Sequence, residues 1–282
     1  MVVHNLERPW LDALPPLREV INEHNLRADK KFGQNFLLDQ NITDKIARAA
    51  GNLEGISAIE IGPGPGGLTR SLLRAGAKKV IAIEYDPRAI EALSGLQASA
   101  GQDLQIKHGD ALDIDLTQLC DEPRAIIANL PYNIATPLLV GWLEQIYNKS
   151  STYSSMTLMF QKEVAERIVA KEGDKAYGRL AVMCQWLCDV KKVFDLPPNA
   201  FTPPPKVKSS IVHFVPKTGQ SNQPDFKKLE AITAAAFGQR RKMIRSSLKD
   251  YMEHIEALGF DPTLRAENLS VEQYIDLAKR IS

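Results

Sequence analysis

The sequence contains no run of about 18 apolar residues, no internal repeat and no low-complexity tract. A membrane-spanning helix needs about 20 apolar residues, so we expect no transmembrane segment and no membrane partner. Residues 1–10 include His, Glu and Arg where a secretory signal peptide needs an apolar block, and we therefore expect a cytoplasmic protein. The 44% hydrophobic and 24% charged residues are ordinary for a globular chain.

Cysteines are few and do not have the spacing of a zinc site. Cys120, Cys184 and Cys188 are an odd number, and the last two lie four residues apart in an apolar, helical stretch. We interpret all three as reduced core residues and expect no metal.

Charge of one sign is not in excess, since 35 Lys and Arg face 34 Asp and Glu, for a net charge of +1. A nucleic-acid surface must therefore be sought locally. Residues 239–249 carry five basic residues without an acid. A helix predicted over 241–251 would align Arg241, Arg245 and Lys249 on one face at a spacing of four. This cluster either contacts RNA phosphates or is a solvated helix face. Its members are Arg240, Arg241, Lys242, Arg245 and Lys249.

Apolar segments alternate with helical stretches between residues 57 and 215, which is typical of an open, mostly parallel α/β sheet. Helices are predicted at 137–147 and 162–171, and another begins at Asp86-Pro87, where Asp can cap and Pro can occupy the first position. The seven predicted strands are 57–62, 80–85, 104–108, 125–129, 156–161, 190–196 and 210–215.

The composition of the chain changes twice after residue 198, first to a proline-rich stretch and then to a polar one. Three consecutive prolines make 199–209 a stiff connector that fixes the place of Phe201. The polar stretch 217–224 is the expected domain boundary. Helices follow at 226–237 and 241–251, and a last one begins at Ser270, with Gln273 completing a capping box.

Asn129-Leu130-Pro131-Tyr132 follows the apolar run 125–128 and would lie at the carboxyl end of a buried strand, where open α/β sheets bind ligands. Pro131 favours an extended Leu130, whose carbonyl can then face a cleft. That carbonyl and the Asn129 side-chain oxygen are two acceptors for an aromatic –NH2 group, and Tyr132 offers a face for stacking. A simple turn after a strand is the alternative.

Glycines in Glu60-Ile-Gly-Pro-Gly-Pro-Gly-Gly-Leu-Thr69 allow the backbone to approach a ligand between a strand and a helix. Gly62, Gly64 and Gly67 satisfy the dinucleotide pattern, and Glu84 follows at a distance suited to ribose hydroxyls. NAD and S-adenosylmethionine (AdoMet) both fit these features.

Three further features favour AdoMet over NAD. Glu60 precedes the loop, where a carboxylate suits a cationic amino-acid cofactor better than a pyrophosphate. Asp110 ends the third strand and could accept a hydrogen bond from an adenine amine. Asn129-Leu130-Pro131-Tyr132 ends the fourth strand and has no evident task in hydride transfer.

Six motifs together resemble the ribosomal RNA adenine N6,N6-dimethyltransferase family, and within it the bacterial small-subunit enzymes, from about residue 16 to 282. They are Lys31-Phe-Gly-Gln-Asn-Phe-Leu-Leu-Asp39, the glycine loop 60–69, Glu84, Gly109-Asp110-Ala111, Asn129-Leu-Pro-Tyr132 and Phe201-Thr-Pro-Pro-Pro-Lys-Val207.

The resemblance implies a Rossmann-like, AdoMet-dependent methyltransferase that dimethylates adenosines of small-subunit ribosomal RNA. In this family pattern, Asn129 would contact both the substrate amine and the cofactor. Gln34, Asn35 and Leu37 would border the methionine end of AdoMet above Gly62, Glu84 would hold the ribose, and Asp110 the adenine. Asn129 and the Leu130 carbonyl would grip the substrate amine, with Tyr132 and Phe201 stacked on its base. For Tyr132 and Phe201 core packing is the alternative, and for Gln34 and Asn35 a surface turn.

The predicted organisation is an N-terminal extension with a lead-in helix at 1–29, a methyltransferase domain at 30–216 and a small all-helical RNA-binding domain at 217–282. Residues 1–15 match no family motif, and we expect a loosely packed tail. We expect a monomer that acts on the RNA of the precursor small subunit. Rival functions are an Erm-type large-subunit methyltransferase, a non-catalytic ribosome-assembly factor and, more remotely, an NAD-dependent dehydrogenase.

Overall fold

The computed structural model describes residues 8–29 and 33–281. Lys31 and Phe32, which begin the first motif, lie outside the described residues, as do residues 1–7 of the extension. Strands within the described residues are β1 (Phe36–Leu37), β2 (Ser57–Ile61), β3 (Lys79–Glu84), β4 (Leu104–His108), β5 (Arg124–Asn129), β6 (Ser155–Gln161), β7 (Cys188–Leu196), β8 (Phe201–Thr202) and β9 (Ser209–Pro216).

Seven of these strands form one sheet in the order β4-β3-β2-β5-β6-β9-β7, and β1 pairs separately with β8. The first five strands of the sheet are parallel, whereas β9 runs antiparallel to both of its neighbours. The seven predicted strands and the mostly parallel sheet are thus confirmed. All residues of β2 are buried, as expected for a central strand covered by helices on both faces.

Helices precede, alternate with and follow the strands of the sheet along the chain. Asp86 accepts a hydrogen bond from the Arg88 N–H to cap α4, and Ser270 and Gln273 form the predicted capping box of α11. The helices are α1 (Leu17–Glu23), α2 (Gln40–Ala49), α3 (Gly67–Arg74), α4 (Pro87–Ala100), α5 (Ala135–Asn148), α6 (Lys162–Val169), α7 (Arg179–Leu187), α8 (Phe226–Gly238), α9 (Ile244–Ser247), α10 (Met252–Ala257) and α11 (Val271–Arg280). No described helix is both long and apolar enough to cross a membrane.

The prediction of one helix over residues 241–251 is wrong. The chain there makes a turn, the four-residue helix α9 and a short 3-10 helix at Lys249–Tyr251. The cause is a long-range pairing: the N–H of Ile244 donates to the Leu264 carbonyl at 2.7 Å and that of Arg245 to the Pro262 carbonyl at 3.1 Å. Those donors cannot also close helical turns starting at residue 241, so the three basic residues do not share one helix face.

The C-terminal helices share a core with the sheet. One continuous cluster of buried residues runs from Ile126 and Leu158 of the sheet through Trp186 of α7 to Phe226 and Tyr274 of the last helices. The Trp186 and Phe226 rings lie 5.8 Å apart between centroids. The boundary predicted near residue 217 therefore separates two parts of the chain that are packed together without a gap in the core.

The extension is packed from Arg8 onward, contrary to the predicted loose tail. The Arg8 guanidinium donates to the carbonyls of Leu73 and Ala77 and pairs with Asp103 at 2.8 Å. Leu11 is 5% exposed. The segment is held because the buried Arg8 guanidinium satisfies the Leu73 carbonyl in the last turn of α3 and the Ala77 carbonyl after that helix.

The thiols of Cys184 and Cys188 are free and buried, as predicted, whereas Cys120 is only half-buried. Cys184 lies on α7, but Cys188 is already the first residue of β7. Burial raises the pKa of both Cys184 and Cys188, which keeps these thiols protonated and unreactive.

Candidate active site

A cavity of about 240 Å³ opens at the carboxyl ends of the parallel strands. Gly62 follows β2, Glu84 ends β3, Asp110 follows β4 and Asn129 ends β5, and all four line this cavity. Parallel strands direct their carboxyl ends to the same edge of the sheet, which is why four motifs far apart in sequence meet here.

The glycine loop forms the floor of the cavity with a backbone that few other residues could adopt. Gly62, Gly64 and Gly66 have φ values of +67°, +54° and +91°. A methyl group added at Gly67 would lie 2.6 Å from the Leu37 carbonyl oxygen, and one at Gly64 would lie 3.0 Å from the Phe36 ring. The loop therefore packs closely against β1, whose residues Phe36 and Leu37 also line the cavity.

Glu84 is held rigidly by backbone donors. Its Oε2 accepts from the Gly64 N–H at 3.1 Å, and its Oε1 accepts from the N–H groups of Tyr85 and Asp86, each at 2.9 Å. Burial raises the pKa of Glu84, and the three N–H groups act in the opposite direction. A carboxylate fixed in this way is suited to hydroxyl donors such as those of a ribose.

Glu60 lies deeper, 1% exposed, and lines the same cavity. The Thr69 hydroxyl donates to its Oε2 at 2.6 Å. Burial raises the pKa of Glu60 to about 8, despite the opposing hydrogen bond from Thr69. The carboxyl therefore favours its protonated form at neutral pH, and a cation in the cavity would favour the ionised form.

Asp110 has one carboxylate oxygen engaged, since Oδ1 accepts from the Leu112 N–H at 2.9 Å. The other oxygen, Oδ2, has no hydrogen-bond partner within the described parts of the chain. The residue is half-buried and lines the cavity. It can therefore accept from a ligand amine without giving up its present contact.

The Asn129 amide is oriented by the backbone carbonyl of Asn35. Its Nδ2 donates to the Asn35 carbonyl at 3.1 Å, which leaves the Oδ1 acceptor for the cavity. Leu130 also lines the cavity although the residue is only 1% exposed. The Pro131 carbonyl accepts from Ala135 as α5 begins, so the chain turns into a helix directly after this site.

Tyr132 and Phe201, both predicted to stack on a base, are placed differently. Tyr132 lines the cavity, and its hydroxyl bonds with the Ser209 hydroxyl at 2.7 Å. Phe201 is 3% exposed, lies in a buried apolar cluster, does not line the cavity and pairs across β1–β8 with Leu37. In this structure the Phe201 ring packs in the core beside β1, and its stacking on a base stays a prediction.

All the predicted cofactor-binding residues line the cavity, namely Gln34, Asn35, Leu37, Gly62, Gly64, Glu84, Asp110 and Asn129. Tyr85, 56% exposed at the cavity rim, was missed although it directly follows Glu84 at the end of a strand. Asp86 is predicted as a helix cap, and its bond to Gln34 joins positions 52 residues apart that no sequence pattern relates.

The basic cluster is exposed apart from Arg240. That residue pairs with Glu267 at 3.0 Å, so its charge is partly compensated. The remaining members, Arg241, Lys242, Arg245 and Lys249, are exposed, and none forms an ion pair with another described residue.

Known proteins resemble the chain over almost its whole length. A model of the family described as ribosomal RNA adenine dimethylase matches residues 25–282. A ribosomal RNA small subunit methyltransferase A from Cereibacter sphaeroides is 51% identical over 276 residues, which cover 96% of this chain and 99% of the relative.

Two solved structures are similar in fold as well. A dimethyladenosine transferase from Plasmodium falciparum has a TM-score of 0.71 at 28% identity, covering 85% of this chain and 94% of that one. The 23S rRNA methyltransferase ErmE has a TM-score of 0.64 at 25% identity, covering 87% of this chain and 99% of that one.

Proposed function

The chain belongs to the ribosomal RNA adenine dimethylase family, and from this membership we propose that it dimethylates the N6 amines of adenosines in small-subunit ribosomal RNA. The methyl donor is AdoMet, and the reaction belongs to ribosome biogenesis in the cytoplasm. The high identity with a small-subunit enzyme over nearly the full length supports this choice of subunit.

The charge of the cavity supports AdoMet as the ligand. Three carboxyl groups line it, those of Glu60, Glu84 and Asp110, and no Lys or Arg is among its described lining residues. Such a lining favours a ligand with a net positive charge and opposes a pyrophosphate. When bound, AdoMet supplies a methyl group on a positively charged sulfur.

Each lining group has a task in binding the donor. We assign Glu84 to the ribose hydroxyls and Asp110 to the adenine amine, while Glu60 becomes ionised opposite the cationic amino-acid end. Asn35, Leu37, Gly62 and Gly64 enclose that end, and Asn129 lies where donor and substrate meet.

The chemistry at the substrate amine depends on acceptors more than on a base. The lone pair of an adenine amine is delocalised into its ring, so the nitrogen is a weak nucleophile. The Asn129 Oδ1 and the Leu130 carbonyl accept its two N–H groups, which favours a pyramidal nitrogen with a freer lone pair. Rate acceleration then comes mainly from positioning and from fixed dipoles.

The target base must leave its stack to reach this cavity. Tyr132 stacks on the extruded adenine, which stabilises it by about 1–3 kcal/mol. The exposed members of the basic cluster contact RNA phosphates, and the chain acts as a monomer on the precursor subunit.

The observation that carries the proposal is the orientation of the Asn129 amide, because it leaves an acceptor at the meeting point of donor and base. The test is incubation with tritiated AdoMet and under-methylated small subunits, followed by digestion to nucleosides. We expect labelled N6,N6-dimethyladenosine, and its loss in the Asn129→Ala variant.

The ErmE likeness makes large-subunit methylation the second candidate. Under-methylated large subunits in a parallel reaction decide between the two, because label confined to large-subunit RNA would contradict the proposal. Tight binding to small subunits without any transfer of label would instead indicate an assembly factor.

A further inference from the structure

The Gln34 side chain, which lines the cavity, joins the chain at Asp29 to Asp86 just after β3. Its Oε1 accepts from the Asp29 N–H at 2.9 Å, and its Nε2 donates to the Asp86 Oδ2 at 2.9 Å. Both ends of the amide are therefore engaged by protein. Gln34 lines the cavity, but its polar atoms are committed to holding the segment 33–37 against the end of β3.

Asp86 is a buried anchor for this bond, 1% exposed. Arg88 makes two bonds to its carboxylate, Nε to Oδ1 at 3.0 Å and Nη2 to Oδ2 at 2.7 Å. Burial opposes ionisation of Asp86, but the hydrogen bonds from Arg88 and Gln34 prevail and lower its pKa. The anchor is thus a charged acceptor, and its own N–H donates to Glu84 at 2.9 Å.

The other end of the connection reaches the substrate side. Asn35 follows Gln34 directly, and its carbonyl is the acceptor that orients the Asn129 amide at 3.1 Å. A continuous path of hydrogen bonds and one peptide bond therefore runs from Glu84 through Asp86 and Gln34 to Asn35 and Asn129. It links the carboxylate assigned to the cofactor ribose with the acceptor assigned to the substrate amine.

We propose that Gln34 is a positioning residue that holds Asn35 in place and thereby keeps the Asn129 oxygen directed at the substrate amine. This inference rests on the proposed function. Without the Asn35 carbonyl, the Asn129 amide can rotate by half a turn and present its –NH2 to the substrate –NH2. Two donors then face each other, and the amine loses an acceptor at the step where it attacks.

The expected signature is a loss in rate greater than the loss in cofactor affinity. For Gln34→Ala we expect kcat to fall about 10- to 100-fold, because a displacement of the reacting groups by about 1 Å has an effect of this size. The dissociation constant for AdoMet should change about threefold or less, because the polar atoms of Gln34 are bonded to protein and the carboxyl groups assigned to the cofactor remain in the variant.

Exchanging the donor and the acceptor tests the bond between Gln34 and Asp86 directly. Gln34→Glu places a carboxylate against Asp86, and Asp86→Asn places an amide donor against Gln34, so each single variant breaks the connection. In the double variant Gln34→Glu/Asp86→Asn, the new carboxylate again accepts from the Asp29 N–H and also from the new amide. We expect the double variant to recover most of the kcat that either single variant loses.

Gln40→Ala is the matched control. Gln40 also uses its side-chain amide for bonds within the protein, to Asp44 and Ser71 at 2.8 Å and 2.7 Å, but it does not line the cavity. Its loss should lower the thermal midpoint without changing kcat.

The measurements are methyl-transfer kinetics on small subunits, calorimetric titration with AdoMet and thermal unfolding, for all five proteins together with the wild type. Two outcomes would overturn the positioning role: equal losses of rate and affinity in Gln34→Ala, or a double variant whose kcat is no higher than the sum of its single changes predicts. In either case, wild-type activity would leave the proposed function standing. A wild type that forms no dimethyladenosine removes both.

Discussion

The Asn129 Nδ2 donates to the backbone carbonyl of Asn35 at 3.1 Å, across a sequence separation of 94 residues. A backbone carbonyl can only accept, so it determines which end of the Asn129 amide faces it. The oxygen is left for the cavity. One contact between β5 and the segment before β1 therefore sets the polarity of the site.

Asn129→Ala should lower methyl transfer about 100- to 1,000-fold, which is the usual effect of removing one group that stabilises the transition state. AdoMet affinity should change only a few-fold, because Glu84 and Asp110 remain. Single-turnover transfer and calorimetric titration measure the two separately. A complete loss of AdoMet binding would instead make Asn129 chiefly a cofactor ligand.

Glu60 should make the stability of the empty protein depend on pH. Its folded pKa of about 8 lies above the ordinary value of 4.5, so the folded state holds the proton more tightly. The stabilisation is complete below the ordinary value and is lost as the pH rises through about 8, by up to about 1.4 kcal/mol per pH unit. Glu60→Gln should remove this slope and raise the thermal midpoint at the upper end of the range.

The same substitution should weaken AdoMet binding, because the entering cation favours the ionised carboxylate. In the wild type, binding should release a proton and become tighter as the pH rises towards about 8. Titrations in buffers of different ionisation enthalpy report that release. An unchanged pH slope in the unfolding of Glu60→Gln would show that another group titrates.

The strands and the main site residues could be predicted because their signals are local. Central parallel strands are apolar almost throughout, and four of the predicted binding motifs, at Gly62, Glu84, Asp110 and Asn129, follow or end a parallel strand. The bond between Gln34 and Asp86 could not be predicted, since it joins positions 52 residues apart that no pattern relates.

The error in the helix predicted over residues 241–251 comes from a tertiary contact. Residues 241–251 carry a helical charge spacing, but a pairing with residues 262–265 takes the backbone donors that a helix needs. Tertiary contacts therefore override a local pattern there. Phe201 belongs to a motif that the family resemblance assigns to the base, and its ring also packs in a core cluster with Leu37.

Arg8→Ala should destabilise the protein by about 1–3 kcal/mol, because two carbonyls and the Asp103 carboxylate lose a buried partner. Arg74→Ala is the control, since Arg74 is more exposed and its contacts with Asp12 and Asp44 are 3.3 Å and 3.9 Å long. Its effect should stay below about 1 kcal/mol. Urea unfolding compares the two, and equal effects would contradict a specific anchoring role for Arg8.

Arg241→Glu should weaken binding to small-subunit RNA and reduce the salt dependence by about one unit of slope, as expected when one phosphate contact is lost. Lys78→Glu changes the net charge equally but lies at the amino-terminal side of β3, on the edge of the sheet opposite the site. It should leave both quantities near their wild-type values. Binding to RNA is measured across a salt series. If Arg241 is only a solvated charge, Arg241→Glu and Lys78→Glu should have the same affinity and the same salt dependence.

Phe201→Leu and Tyr132→Leu should separate a core ring from a stacking ring. Leucine largely fills the space behind β1, so Phe201→Leu should cost about 1 kcal/mol of stability and leave methyl transfer near the wild-type rate. Tyr132→Leu removes a ring that lines the cavity, and kcat/KM should fall about 5- to 150-fold through lost stacking. If Phe201→Leu lost as much activity at an unchanged thermal midpoint, the phenylalanine ring would have to leave the core and meet the base during the reaction.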